Sequence, residues 1–165
     1  MAAFIISRLD YCNIVYYGLP QVLLHRLQMA FNVAARLIYG EKKSCHITPL
    51  LESLYWLRVT ERIEFKVCLI VYKALYEMAP RCLTELCTRD PALSERRPLR
   101  SQATSKNMLI EPNRANKTRF FERSFGVAGS VTWNRLPVTL REDQNITKFR
   151  LQMKSVLFER SFPRP

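Results

Sequence analysis

Apolar residues return every three or four positions along most of this chain, and turn residues cut that rhythm into segments of helical length. Residues 20–39 are the clearest case. Leu23, Leu27, Ala30, Phe31, Ala34 and Ile38 form one stripe, with His25, Gln28, Asn32 and Arg36 on the opposite face. Pro20 suits the opening of that helix and Gly40 its end. Before it, residues 1–17 read as a helix closed by Gly18-Leu19-Pro20; after it, 41–45 form a short polar connector. Thr48-Pro49 has the form of an N-cap followed by proline at the first helical position, which predicts a short helix through Leu54. Residues 59–78 are the most apolar helix, with Ile63, Val67, Ile70 and Ala74 on one stripe and Phe65, Leu69, Tyr72 and Tyr76 on another. A helix apolar on two sides belongs at the centre of its domain. Ala79-Pro80 breaks it, and 81–87 leave room for one or two further turns.

The rhythm fails over residues 89–117. This stretch holds Pro91, Pro98 and Pro112, few bulky apolar side chains, and the basic run Arg96-Arg97-Pro98-Leu99-Arg100. It reads as a linker or long surface loop, with 107–111 its one strand-like segment. Helical spacing resumes over 119–133 through Phe121, Phe125, Ala128 and Trp133, interrupted by Gly126 and Gly129 and ended by Leu136-Pro137. A last amphipathic helix over 145–160 sets Ile146, Phe149, Met153, Val156 and Leu157 to one side. The predicted fold is therefore mainly α. A helical bundle occupies 1–88, a long basic loop with at most a short β-hairpin 89–117, and C-terminal helices 118–165.

Composition adds a partner to this picture. Of 165 residues, 48% are apolar and 24% charged, the balance of a folded, water-soluble chain rather than a disordered one. No strictly apolar run exceeds six residues, against about 20 for a membrane-spanning helix. Arg8 and Asp10 cut the apolar start too short for a secretion signal, so the expected location is intracellular, nuclear or cytoplasmic, with no membrane partner. The five cysteines are then expected as reduced thiols. Lys and Arg number 26 against 14 Asp and Glu, a net +12, and nine of the twelve excess charges lie in 81–165. A field of that sign attracts polyanions, of which nucleic acid is the commonest.

Catalysis needs a constellation of groups, and few are available. The four glycines are too scattered for a phosphate loop, and no zincin or serine-hydrolase motif occurs. Glu142-Asp143 is the one adjacent acidic pair and reads as helix-start charge in solvent rather than half of a two-metal centre. Cys45-His46 and Cys82-x4-Cys87 lack the paired spacing of a zinc site, and Cys82 and Cys87 read as small hydrophobes. No cofactor, metal or independent catalytic activity is expected. The best functional candidates are Arg96, Arg97 and Arg100, followed by Lys106, Arg114, Lys117, Arg119 and Arg123. They read either as a solvated loop or as a strip that tracks phosphates without reading sequence. Phe120 and Phe121 beside them suit either core packing or stacking on bases.

Several ordered strings resemble a known family. They begin with Ser7-Arg8-Leu9-Asp10-Tyr11-Cys12-Asn13 and Tyr17-Gly18-Leu19-Pro20, and continue through Asn32-Val33-Ala34-Ala35-Arg36-Leu37-Ile38. His46-Ile47-Thr48-Pro49-Leu50-Leu51, Leu54-Tyr55-Trp56-Leu57, Tyr72-Lys73-Ala74-Leu75 and Trp133-Asn134-x-Leu136-Pro137 come next, in the same order. Together they are similar to the region downstream of the reverse transcriptase core in jockey-like and related non-LTR retrotransposons. The resemblance implies a thumb-like helical segment and the region beyond it, without the palm and its aromatic-x-Asp-Asp motif or the endonuclease, so no catalytic residue carries over. It implies a decayed or host-adopted reading frame that grips RNA or an RNA–DNA hybrid by the backbone. It also implies a surface that once met the palm, with Tyr11, Tyr16 and Tyr17 as candidates, open to self-association or a partner protein. The alternative to nucleic-acid binding is a helical interaction module, or a relic frame with no function.

Overall fold

The computed structural model describes residues 2–89, 107–112 and 118–163. Among them the chain is mainly α. The helices are α1 (Ala2–Asp10), α2 (Gln21–Tyr39), α3 (Ile47–Ser53), α4 (Val59–Leu75), α5 (Arg81–Thr84), α6 (Arg119–Glu122), α7 (Phe125–Asn134), α8 (Val138–Arg141) and α9 (Ile146–Ser161). A 3-10 turn spans Asn13–Tyr16. The strand-like 107–111 segment is reduced to one antiparallel bridge, Arg89 to Leu109. The elements group into two units, Met1–Phe65 with Lys154–Pro165, and Lys66–Met153; α4 and α9 each give residues to both. No helix of the described residues is long and apolar enough to cross a membrane.

In the first unit, α2 buries Leu24, Phe31, Ala34 and Ala35, with Leu27 half-buried. The face differs from the stripe the spacing predicts, since Leu23, Ala30 and Ile38 are exposed while Gln28, Asn32 and Arg36 turn inward. The polar groups have work there. Gln28 Oε1 accepts from the backbone N–H of Val59 (2.8 Å), one of the donors a helix start leaves unpaired, and its amide nitrogen donates to Asn32 Oδ1 (2.8 Å). Arg36 donates to the Cys45 carbonyl from Nε (3.3 Å) and Nη2 (3.0 Å), fixing the connector. Arg62 holds Asp10 through two parallel bonds (3.0 and 2.7 Å) and lays its guanidinium 5.2 Å from the centroid of Phe31. The helix expected over 1–17 stops at Asp10, where Cys12 turns left-handed (φ 49°) and hands over to the 3-10 turn.

The predicted capping of α3 is also corrected. The helix begins at Ile47, with His46 as N-cap, so Thr48 and Pro49 lie inside the first turn. Proline is tolerated there because first-turn N–H groups have no intrahelical acceptor. Three helix ends use one device. After α2, α3 and α4 a left-handed residue (Gly40 φ 64°, Tyr55 φ 53°, Glu77 φ 56°) lets the next N–H reach back five residues. The bonds are Glu41 to Arg36 O (2.9 Å), Trp56 to Leu51 O (2.9 Å) and Met78 to Lys73 O (2.7 Å). Glycine takes that conformation freely, whereas for other L-residues it costs about 1–2 kcal/mol. So α4 ends at Leu75, short of the Ala79-Pro80 break, because the turn at Glu77 closes it first.

The second unit is built on α4. Over Val67 to Ala74, Val67, Cys68, Val71, Tyr72 and Ala74 are buried and no residue of that span is exposed, as expected of a central element. Phe149 of α9 stacks on Tyr72 (centroids 4.4 Å, 26°) and meets Trp133 of α7 at 5.8 Å. Phe149, Met153 and Leu157 are the buried face of α9, as the spacing predicts. The single helix expected over 119–133 is two. Thr118 Oγ1 accepts from Phe121 N to open α6, and Ser124 Oγ donates to Phe121 O (2.7 Å) to close it before α7. The break falls there and not at the glycines, because Gly126 and Gly129 are buried inside α7 for packing. A Cβ on Gly129 would lie 2.9 Å from Val71 Cγ2, so only glycine lets α7 approach α4 this closely.

Candidate nucleic-acid interface

A polar network joins Thr88 and Arg89 to residues 107–110, a neck made by the described residues that flank the basic stretch in sequence. The bridge from Arg89 to Leu109 and the bond from Ile110 N to Thr88 O (3.0 Å) hold the two ends together. Asn134, at the end of α7, serves Leu109 as a third strand would. Its Oδ1 accepts from Leu109 N (2.9 Å) and its Nδ2 donates to Leu109 O (3.0 Å). Trp133 Nε1 donates to Asn107 O (2.8 Å), and Asn107, itself left-handed at φ 55°, donates from Nδ2 to Arg141 O (3.3 Å). Arg141 is buried, and its Nε donates to Leu136 O (3.1 Å); burial pulls its guanidinium below the ordinary value, against the opposing charge of Glu142. The Trp133-Asn134-x-Leu136 string is thus the clamp on the neck. Arg89 adds to it, with its guanidinium 5.8 Å from the Tyr76 ring, whose hydroxyl donates to Asp143 O (3.3 Å).

Of the candidate phosphate contacts, Arg96, Arg97, Arg100, Lys106, Arg114 and Lys117 lie outside the described residues. Arg119 is the first residue of α6, and Arg123 comes directly after that helix, half-buried and engaged by a neighbour. Phe120 is 85% exposed, whereas Phe121 is half-buried. Trp133, part of the apolar spacing over 119–133, is buried, but the sequence carries no signal for the clamp. Nothing in a Trp-Asn dipeptide states which distant backbone groups it will meet.

Cys45 donates its thiol to His46 O (3.6 Å), Cys82 is exposed, and Cys87 is buried, which pushes its thiol up to about 11. All five cysteines are free. Among the described residues no three His, Cys, Asp or Glu side chains gather closely enough to hold a metal. Asp143 accepts from Asn145 N (3.0 Å) and lies 3.4 Å from Lys148 Nζ, while Asn145 Oδ1 accepts from Thr147 N (2.9 Å) and caps α9. No protein-family model, curated protein or solved structure matches this chain.

Proposed function

We propose that this chain is a non-catalytic, sequence-tolerant nucleic-acid-binding segment, similar to the C-terminal region of a non-LTR retrotransposon reverse transcriptase. The observation that carries the reading is the charge. The Lys66–Met153 unit holds 16 Lys and Arg against 8 Asp and Glu, two-thirds of the net +12 of the whole chain. Arg96, Arg97, Arg100 and Lys106 lie in sequence between the two sides of the clamped neck, and Arg114, Lys117, Arg119 and Arg123 come after it. A pinned base lowers the ordering cost of presenting such a segment to a duplex backbone. Binding goes to phosphates, prefers no sequence and needs no cofactor.

Fluorescence anisotropy of the full chain with a labelled RNA–DNA hybrid, across a salt series, tests this. Micromolar or tighter binding that weakens steeply with salt supports it; no binding at low salt removes it.

A second reading is favoured by a different observation. On α2, Val22 (67%), Met29 (45%), Val33 (51%) and Leu37 (59%) are exposed along one stripe, and such a stripe suits a helical interaction module. Concentration-dependent sedimentation without RNA binding distinguishes it.

A further inference from the structure

We infer that the cleft between the α3–α4 connection and the last turns of α9 is a binding site for a quaternary ammonium group that carries no phosphate. The cleft belongs to the first unit, has a volume of about 630 Å³, and is lined by Glu52, Tyr55, Ser155, Phe158, Glu159 and Phe162. Three of these are aromatic and form a continuous wall. Tyr55 meets Phe158 at 4.4 Å between centroids, tilted by 34°, and Phe158 meets Phe162 at 4.8 Å. The electron-rich faces of such rings attract cations, most strongly those too weakly hydrated to prefer water.

The wall already displays that preference. Lys154 Nζ lies 4.4 Å from the Tyr55 centroid, and the Arg58 guanidinium 5.2 Å from that of Phe162. Neither cation lines the cleft. The ionisable groups that do line it, Glu52 and Glu159, are both carboxylates and both exposed, in a chain of net +12. Among the described residues neither is paired with a cation. Aromatic walls under two free carboxylates select a bulky organic cation, and the same carboxylates repel a ligand that brings its own phosphate.

Tyr55 supplies an independent observation. It stands left-handed, at a position where glycine closes the helix without strain, and its hydroxyl lies 3.4 Å from Ser155 Oγ. The turn presents the Tyr55 ring to the cleft wall, where it packs on Phe158. The inference is independent of the nucleic-acid reading.

Titration of the full chain with choline, monitored by NMR of the Tyr55 and Phe158 ring protons, tests the site. Three comparators accompany it: 3,3-dimethylbutanol, the neutral isostere, together with phosphocholine and lysine. The expected result is saturable shifts with choline, with the isostere weaker by about tenfold and phosphocholine and lysine weaker than choline. Tyr55→Gly removes the ring while suiting the turn, and should weaken choline about tenfold. Glu52→Gln and Glu159→Gln, on exposed positions, should each weaken choline more than its isostere. Equal binding of choline and the isostere, shifts unaffected by Tyr55→Gly, or no saturable shift with choline overturns the inference.

Discussion

The two units of this chain expose different things. Of the large apolar side chains exposed among the described residues, eleven of sixteen belong to the first unit, including Phe4, Tyr11, Val15 and the α2 stripe. The second unit carries two-thirds of the excess charge and buries Tyr72, Trp133 and Phe149, with Phe120 exposed. The first unit is the richer in exposed apolar side chains, the second in positive charge. The contrast explains why an average composition hides the interesting parts. Hydrophobic content close to ordinary is the sum of one unit that exposes many large apolar side chains and one that exposes fewer.

The contrast can be broken first at the core of the second unit. Trp133→Ala removes a ring 1% exposed and the indole donor to Asn107, and should cost about 3–5 kcal/mol in denaturant unfolding. Gly129→Ala places a Cβ against Val71 and should cost about 1–3 kcal/mol by overpacking. Asn134→Ala leaves both polar groups of Leu109 unmet, at about 1–3 kcal/mol, and should accelerate hydrogen exchange at the Leu109 amide. Glu77→Gly should stabilise by up to about 1 kcal/mol, because glycine takes the left-handed turn without penalty. In the first unit, Leu37→Lys on the exposed stripe should change stability by only about 0.5 kcal/mol or less while lowering any self-association seen by sedimentation.

A pH effect separates the buried thiol from the rest. Cys87 is held up to about 11 by burial, above the ordinary 9.0 of an unfolded thiol. Above pH 9 the unfolded chain releases this proton while the folded one keeps it, so the contribution of Cys87 to stability falls as pH rises. Cys87→Ala should flatten the stability profile between pH 9 and 11. At mildly alkaline pH, alkylation should label the exposed Cys12 and Cys82 and spare Cys68 and Cys87 until the chain unfolds.

The sequence was legible where one physical signal dominated. Spacing alone placed α4 at the centre, the buried face of α9, and the long helices to within a few residues, because each buries a periodic stripe. It misjudged α2, because Gln28 and Asn32 look like surface residues until the start of α4 is there to be capped. It carried the 119–133 helix through Ser124, whose cap depends on Phe121 folding back as a separate turn. Three of the left-handed residues that shape the helix ends and the neck, Tyr55, Glu77 and Asn107, are not glycines, so nothing local announced them. The neck was least legible of all: Asn134 and Leu109 are 25 residues apart and meet only through tertiary structure. The basic stretch, by contrast, was visible in composition alone.

The central claim is that the basic segment between the two sides of the clamped neck in sequence contacts phosphates, and its most direct test is the salt dependence of hybrid binding with Arg96, Arg97 and Arg100 changed together to Glu. Removing one phosphate contact should reduce the log–log salt slope by about 1, so the account predicts a slope shallower by up to about 3 and weaker binding at low salt. A slope identical to that of the unmodified chain would contradict it.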